Sequence, residues 1–369
     1  MGGANSRLPT HSMVTISLCM IVRDEELVLA RCLDSVRDLV DEIIIVDTGS
    51  LDDTKAIARR YTENVFDFEW IDDFSAARNF SFERAASDYC LWLDADDVLL
   101  QPDRAKFARL KAGLEGDTDI VMLPYHVGFD ERGNVTFSYY RERIIRSSPA
   151  CRWKGAVHEV ITPAGKVVYG DCAVTHRKLR PSDPERNLRI FEGLIAKGVS
   201  LEPREQFYYG RELYYHRRYT EAEAVLTAFI KNPAGWVENK IDACRQLAYC
   251  LHAQGKDSAA LAALLHSFSF DLPRAESCCD IGRHFFDREQ WQQAAYWYKR
   301  ALDCPRRDDC GGFVSADAYG FLPCIQLCLC FYHMGDNDAA QRWNALAAAY
   351  KPDSPAVRQN MEYFKSLGM

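Results

Sequence analysis

The sequence predicts an α/β domain followed by an all-α domain of helical repeats. Over residues 14–180, short apolar runs typical of buried strands alternate with segments whose apolar residues recur at helical spacing. Beyond about residue 184 only helical spacing remains, and one pattern of small and apolar residues recurs four times. We therefore divide the chain into a disordered leader or tag remnant (1–13), an α/β domain (14–180), a linker helix (181–200) and a repeat domain (201–369).

The α/β part opens with two strand–helix units. Residues 14–22 and 42–46 are predicted strands, and predicted helices follow them over 27–36 and about 54–61. Polar residues at 52–54 can cap the second helix. Since the connecting loops are short, the two strands are expected to be parallel and joined by a right-handed crossover.

A cluster of carboxylates ends the next buried strand, residues 91–93. Asp94, Asp96 and Asp97 follow it directly, while Asp24 and Asp47 come after the first two strands. Carboxylates this close repel one another unless a cation joins them, and parallel strand ends bind ligands in open α/β sheets. A cation site is therefore predicted at this edge. The other predicted elements are a strand at 65–68, a helix at 74–86 and strands at 119–124, 137–145 and 167–176.

Composition excludes several classes of protein. A net charge of −8 argues against a nucleic-acid binder, and no run of 18 apolar residues indicates a membrane span. The 14 cysteines sit mostly in apolar stretches, and the polar opening segment lacks the apolar core of a secretory signal. We expect a cytoplasmic protein with reduced cysteines, and we expect Cys324, Cys328 and Cys330 to pack on a helix face instead of binding a metal.

Several motifs in order resemble family 2 glycosyltransferases. They lie at residues 16–26, 33–36, 41–54, 74–80, 91–97 and 153–159, with His176 completing the set, so the resemblance covers about residues 14–178. It implies a GT-A fold that binds a nucleotide-sugar, most often a UDP-sugar, and transfers the sugar with inversion. An Mn²⁺ or Mg²⁺ cofactor is implied as well.

The resemblance also implies roles for individual residues. Asp47 would hold the uracil or ribose side of the nucleotide, and Asp94 would face the ribose or sugar. Asp96 would bind the metal and act in catalysis, with His176 as a further metal ligand or diphosphate contact. Arg78 would lie beside the nucleotide or diphosphate, or else form an ion pair with a neighbouring Asp. The complete set of donor-binding residues is Met20, Val22, Arg23, Glu25, Asp47, Arg78, Asp94 and Ala95.

Inversion also needs a base that takes the proton of the acceptor. Glu159 is the candidate, because Asp97 lies too near the metal. The alternative pairs Glu159 with an arginine such as Arg143 or Arg152. Trp153 and His158 are the predicted acceptor-side residues.

The second half carries a repeat of two helices. A small residue is followed by alanine twelve positions later in four places: Gly210 and Ala222, Ala248 and Ala260, Gly282 and Ala294, Cys328 and Ala340. This spacing resembles tetratricopeptide repeats, which stack into a curved surface that often holds a peptide or protein. A structural or dimer-forming role is the alternative.

Family 2 domains with such repeats resemble bacteriocin peptide S-glycosyltransferases. The expected partners are thus a UDP-sugar donor and a peptide or protein acceptor, with a homodimer left open. Two alternatives are a transferase acting on a cell-surface glycan or lipid-linked sugar, and an inactive repeat scaffold. A nucleotidyltransferase would carry a phosphate loop rich in glycine and lysine after the first strand, where this chain has the acidic residues 24–26.

Overall fold

The computed structural model describes residues 14–130, 132–180, 183–308, 310–366 and 368. The leader predicted at 1–13 lies outside these residues. The chain divides into two compact units, one ending at Pro184 and the other beginning at Glu185. The first unit is α/β and the second is helical, which confirms the predicted fold class.

One mixed sheet of nine strands forms the first unit within the described residues. Its order is β3-β2-β1-β4-β7-β6-β9-β5, with β8 beside β6. The central strand β1 runs parallel to both β2 and β4 and is buried along nearly its whole length. The strands are β1 Ile16–Val22, β2 Glu42–Asp47, β3 Val65–Asp67, β4 Tyr89–Trp92, β5 Asp97–Val98, β6 Ile120–Phe129, β7 Val135–Arg146, β8 Val167–Tyr169 and β9 Val174–His176.

The helices of the first unit follow the predicted strand–helix order, with one addition. They are α1 Leu29–Val36, α2 Thr54–Ala58, α3 Phe74–Phe82 and α4 Gln101–Gly113. The predicted ends of α2 and α3 ran three to four residues too far. Helix α4 was not predicted, because it buries only Asp103 and Phe107 and so lacks an apolar stripe.

The strand predicted over 167–176 is two strands, β8 and β9. Both run parallel to β6, with Tyr169 opposite Met122 and Val174 opposite Tyr125. The chain therefore advances five residues, from Tyr169 to Val174, while β6 advances three, and the extra residues interrupt the hydrogen-bond ladder between the strands. The backbone passes β6 closely at Gly170, where a Cβ would lie 2.6 Å from Leu123.

The second unit consists of helices throughout its described residues. They are α5 Arg186–Ala196, α6 Pro203–Tyr215, α7 Tyr219–Lys231, α8 Val237–Ala253, α9 Asp257–His266, α10 Ala275–Phe286, α11 Trp291–Asp303, α12 Phe321–His333, α13 Asn337–Tyr350 and α14 Pro355–Ser366, with 3₁₀ turns at Ser267–Ser269 and Ala316–Tyr319. Helices α6 to α13 form four consecutive pairs. Each pair carries the predicted small residue in its first helix and the predicted alanine in its second, so the repeat prediction is confirmed.

Close packing explains the small residues. A Cβ on Gly210 would lie 2.6 Å from Leu226, and one on Gly282 would lie 2.9 Å from the ring of Tyr298. Seven residues after the small position, each pair turns through a residue of positive φ: Arg217 at 59°, Gly255 at 71°, Glu289 at 58° and Gly335 at 82°.

All fourteen cysteines are free thiols. Cys324, Cys328 and Cys330 are buried on α12, as predicted. Across the described ranges, no helix combines the length and apolar character that a membrane crossing requires.

Candidate functional site

The first three acidic strand ends lie at one edge of the sheet. Val22 is opposite Asp47, and Cys19 is opposite Trp92, so β1, β2 and β4 end nearly level. Asp47 is the last residue of β2, and Asp24 and Asp94 follow the ends of β1 and β4. This edge is the ligand-binding side of a parallel sheet.

Two loops at this edge, residues 24–26 and 50–54, bind each other in both directions; we name this arrangement the loop clasp. Its five hydrogen bonds run from Asp24 N–H to Ser50 Oγ, Leu51 N–H to Asp24 Oδ1, Glu25 N–H to Thr54 Oγ1, Glu26 N–H to Asp52 Oδ2 and Asp53 N–H to Glu26 Oε2, at 2.7–3.2 Å. Asp52 also accepts from Thr54 N–H at 2.9 Å, at the start of α2. Several of these carboxylates therefore hold the loops together.

Asp47 is buried with half of its carboxylate unused. Its exposed fraction is 1%. Oδ1 accepts from the backbone N–H groups of Gly49 and Ser50 at 3.0 and 2.9 Å. Oδ2 has no hydrogen-bond partner among the described residues. A buried acceptor left unpaired is costly, so this oxygen suits a polar group of a ligand.

The side chains of three other predicted donor-binding residues point into the core. Met20, Val22 and Ala95 are 0–4% exposed and belong to one hydrophobic cluster. Only their backbone can line a pocket, and the Val22 carbonyl already accepts from Thr48 N–H at 2.9 Å. The Arg23 side chain is exposed and lies 4.0 Å from Asp24.

Arg78 of α3 joins two acidic residues from distant parts of the chain. Its Nη2 donates to Asp94 Oδ1 at 2.8 Å, and its Nε donates to Glu159 Oε1 at 2.7 Å. The guanidinium is 4.6 Å from the Trp92 ring centroid and 5.1 Å from that of Trp153. Its Nη1 is buried and lacks a hydrogen-bond partner among the described residues.

The charges in this cluster fix its protonation. Burial disfavours the charge of Arg78, but Asp94 and Glu159 outweigh it and raise the pKa of Arg78. Burial likewise raises the pKa of Asp94, yet the positive charges of Arg78 and Arg143 prevail and lower it to about 2. Asp94 is therefore ionised at neutral pH.

The structure corrects the expected partners of Glu159. It pairs with Arg78, whereas Arg143 lies against Asp97 and Arg152 lies 3.3 Å from Glu83. The predicted alternative, an ion pair between Glu159 and an arginine, is therefore present, but the arginine is Arg78. Arg78 likewise makes the ion pair that was its alternative role, with Asp94.

A second cluster brings together Asp96, Asp97 and His176. One ligand atom from each lies within 4.8 Å of the others, and among the described residues only this group meets that criterion. His176 Nδ1 is 3.4 Å from Oδ1 of both aspartates, whose hydrogen bonds raise the pKa of His176 to about 9. Carboxylate oxygens with one imidazole fit a divalent cation such as Mn²⁺ or Mg²⁺.

Arg143 and Tyr125, which sequence reasoning did not place at the cation site, contact Asp97 of this cluster. Asp97 and Arg143 are both 0% exposed, and Arg143 Nη1 lies 3.1 Å from Asp97 Oδ2. Tyr125 donates its hydroxyl to Asp97 Oδ1 at 2.9 Å. In the sequence, Arg143 could have been noticed as a charged residue immediately before the apolar residues 144–145 of a predicted strand. No feature of the sequence pointed to Tyr125.

The two predicted acceptor-side residues differ in position. Trp153 is 2% exposed and packs edge-on against Trp92 and Phe82, with centroids 5.0 and 5.9 Å apart. This burial argues against direct contact with an acceptor. His158 is partly exposed, with φ of 54°, and precedes Glu159 in the loop closed by the Lys154–Val160 bridge.

Residues 17–165 match the family model described as glycosyl transferase family 2. This part of the chain is a glycosyl transferase family 2 domain. The matched residues include Asp47, Arg78, Asp94, Asp96 and Glu159. His176 lies beyond them, on β9, in the candidate metal cluster that it forms with Asp96 and Asp97.

Three relatives show how far the similarity extends. A TPR repeat-containing protein of Synechococcus elongatus is 39% identical over 150 residues, which are 41% of this chain and 36% of that protein. The SPbeta prophage-derived glycosyltransferase SunS of Bacillus subtilis is 30% identical over 236 residues, 59% of this chain and 54% of the relative. The lipopolysaccharide core biosynthesis glycosyltransferase LpsC of Rhizobium meliloti is 28% identical over 167 residues, 41% and 58% respectively. The chain thus spans between about a third and three fifths of the length of these relatives.

Glu25 lies at the same edge of the family 2 domain, in the loop clasp. Burial, followed by repulsion from Asp96, Asp94 and Asp52, raises its pKa to about 7. A cation among these carboxylates would relieve this repulsion, which agrees with the composition of the metal cluster.

Proposed function

We propose that this protein is an inverting, metal-dependent glycosyltransferase that moves a sugar from a UDP-sugar to a peptide or protein, at a Cys, Ser or Thr side chain. One observation carries the proposal. At the carboxyl edge of a family 2 domain, the ionised Asp94 held by Arg78 lies two residues before Asp96, which meets His176.

On the donor side, each group has a specific role. Asp47 Oδ2 would accept a hydrogen bond from the nucleotide, and Asp94 would accept from a hydroxyl of the ribose or sugar. Asp96 and His176 would hold Mn²⁺ or Mg²⁺. When bound, that ion would stabilise the negative charge that develops on the leaving diphosphate.

On the acceptor side, Glu159 is the proposed base. Arg78 occupies Oε1, which fixes the carboxylate and leaves Oε2 to take a proton from the acceptor. A cysteine thiol would make the smallest demand on this base, since part of it is already thiolate at neutral pH.

The helical pairs of the second unit favour a peptide or protein acceptor, because such repeats commonly bind extended chains. A glycan acceptor is the second candidate, and the similarity to LpsC favours it. An inactive scaffold would have no reason to keep Asp94 and Asp96 clustered at one edge of the sheet.

The test is release of free nucleotide by the purified full chain from UDP-, GDP- and TDP-sugars, with and without Mn²⁺. Asp96→Ala is the control variant, since it removes one ligand of the metal cluster from a partly exposed position. We expect metal-dependent release from a UDP-sugar and none from the variant.

Three other outcomes are informative. Release from a GDP- or TDP-sugar would correct the donor. Nucleotide binding without release would mean that the acceptor is required, and candidate peptides and glycans would then be added. Absence of both release and metal-dependent nucleotide binding would overturn the proposal in favour of a scaffold.

A further inference from the structure

Behind the metal cluster lies a chain of polar groups that ends in a buried ion pair. We propose that Asp97 and Tyr125 are positioning residues that fix Nδ1 of His176 as a hydrogen-bond donor, so that Nε2 is the nitrogen offered to the metal. This inference rests on the proposed function. It gives a role to Tyr125, which the sequence did not single out, and to Asp97, which the sequence placed only near the metal.

Both carboxylate oxygens of Asp97 already have partners within the protein. Oδ2 accepts from Asp94 N–H at 3.1 Å and lies 3.1 Å from Arg143 Nη1, while Oδ1 accepts from the Tyr125 hydroxyl at 2.9 Å. The carboxylate is 0% exposed, and its negative charge is balanced by the equally buried Arg143. Asp97 therefore faces the interior of the domain.

The hydroxyl of Tyr125 connects Asp97 to His176. A phenol has one proton to donate, and here it goes to Asp97 Oδ1. The Tyr125 oxygen lies 3.0 Å from His176 Nδ1 and can then only accept from that nitrogen. Nδ1 must carry a proton, so in the neutral ring, the form that binds a metal ion, Nε2 is the nitrogen with the lone pair.

The ring of Tyr125 is itself fixed. The Arg143 guanidinium lies 4.3 Å from its centroid, and the His176 and Tyr139 rings pack edge-on at 5.8 and 5.7 Å. Asp97 is also paired with His176 in the β5–β9 ladder. The hydroxyl is thus held in place by packing, independently of any ligand.

A competing arrangement makes the opposite prediction. If Nδ1 and Asp97 Oδ1 were direct ligands, the Tyr125 hydroxyl would compete with the metal for both atoms. Tyr125→Phe would then leave metal affinity unchanged or increase it. Under the positioning role, the same variant loses the nearest acceptor of Nδ1–H, at 3.0 Å, and keeps only the longer 3.4 Å contacts to Asp96 and Asp97, so metal affinity falls.

The experiment measures Mn²⁺ binding by the full chain in the presence of UDP, from loss of the free-Mn²⁺ EPR signal. We expect Tyr125→Phe to weaken binding by about 10–100-fold, the usual effect of losing an outer hydrogen-bond partner of a metal ligand. The visible spectrum of the Co²⁺ form should change as well, which a purely structural role would not produce. Tyr89→Phe is the matched control, because it removes a tyrosine hydroxyl on another strand that lies 2.9 Å from the Thr118 carbonyl and 3.1 Å from the Glu115 carbonyl and can donate to one of them.

Unchanged or tighter Mn²⁺ binding by Tyr125→Phe would overturn the inference, as would an equal loss in Tyr89→Phe. Asp97→Asn provides a second test: loss of metal binding in it, with Tyr125→Phe unaffected, would identify Asp97 as a ligand. If Asp97→Asn fails to fold, Tyr125→Phe decides alone. A wild-type chain that binds no Mn²⁺ with UDP would overturn the proposed function together with this inference, whereas normal wild-type binding confines any failure to the positioning role.

Discussion

Each unit of the molecule holds an arginine between two carboxylates, and the two arginines differ in what they leave unpaired. Arg245 of α8 uses all three nitrogens: Nε donates to Asp280 at 2.6 Å, Nη1 to Asp242 at 3.4 Å and Nη2 to the Tyr249 hydroxyl at 3.0 Å. Arg78 binds Asp94 and Glu159 but keeps Nη1 without a partner among the described residues. A charged cluster alone is therefore a poor indicator of function. Unused hydrogen-bonding capacity is informative only beside other candidate site residues, because Gln246 and Ser277 in the repeats also have buried polar atoms without a partner among the described residues.

Removing a charge next to each arginine should sharpen this comparison most. In Glu159→Gln, the amide oxygen can still accept from Arg78 Nε, but the side chain can no longer take a proton. We expect sugar transfer to slow by about 10²–10⁴-fold while UDP binding is retained, as befits loss of a general base. Single-turnover transfer and calorimetric UDP binding measure the two effects.

Asp280→Asn is the matched control in the repeats, and it should leave transfer unchanged. Normal transfer by Glu159→Gln would show that the base assignment is wrong.

The arginines themselves should show the next largest effect. Lysine keeps the charge but cannot donate to two carboxylates in the fixed geometry of a guanidinium. Arg78→Lys is expected to lower nucleotide release by about 10²-fold, because small displacements of groups at a reacting centre have effects of that size.

Arg245→Lys should instead cost about 1–3 kcal/mol of unfolding free energy and leave release intact. Denaturant unfolding and nucleotide release are compared in both variants. An equal loss of nucleotide release in the two variants would show that the unpaired Nη1 of Arg78 does not distinguish its cluster from that of Arg245.

In the repeats, stability should depend on the size of the side chain at the contact between paired helices, not on charge. Gly282→Ala places a methyl group 2.9 Å from the Tyr298 ring, so it should destabilise the chain by about 1–3 kcal/mol. Gly193→Ala in α5 meets no atom within 4 Å and should stabilise by about 0.5–1 kcal/mol, since glycine is a weak helix former. Denaturant unfolding gives both values, and a neutral Gly282→Ala would show that helices α10 and α11 can separate at no cost.

The smallest effect is a pH dependence in the acidic edge of the family 2 domain. Glu25 has a pKa raised to about 7, so folding favours its protonated form and the corresponding stability is lost as pH rises from about 4.5 through 7. Glu25→Gln should therefore raise the melting temperature of the metal-free chain at pH 8 and have little effect near pH 4. Glu223→Gln in the repeats, where Lys256 lowers the carboxyl pKa, should not raise it at pH 8. A Glu25→Gln effect that is the same at both pH values would contradict the role of carboxylate repulsion.

The alternation of strands and helices was readable from sequence because β1, β2 and β4 bury continuous apolar runs. Helix α4 was not, since it contacts the core through Phe107 and little else on a regular face. The break at Gly170 depends on the register against β6, which is a tertiary property. Neither the packing of α4 nor the register at Gly170 can be read from the local spacing of apolar residues.

The candidate site divides in the same way. Asp47, Asp94 and Asp96 follow strands and could be selected by position, whereas their roles as ligands stay predictions. The partner of Glu159 and the contacts of Tyr125 join residues far apart in the chain. Such pairings follow from the folded geometry, so residue type and spacing could not choose Arg78 over Arg143.

The repeat turns show a further limit of composition. Gly255 and Gly335 have the positive φ that glycine allows, yet Arg217 and Glu289 adopt the same conformation at the same repeat position. A left-handed residue with a side chain is strained by roughly 1–2 kcal/mol. The packing of each helical pair therefore sets the turn, and glycine only lowers its cost.

The loop clasp couples residues 24–26 to residues 50–54, because each of its five hydrogen bonds joins a side chain of one loop to a backbone N–H of the other. Removal of an acceptor side chain from one loop leaves a backbone N–H of the other loop without its partner. The five acceptor side chains, and not pairs of side chains, therefore determine whether the clasp forms. In a library randomised at both loops, surviving sequences should keep hydrogen-bond acceptors at positions 24, 26, 50, 52 and 54, whereas positions 51 and 53, which contribute only a backbone N–H to the clasp, should accept any residue except proline.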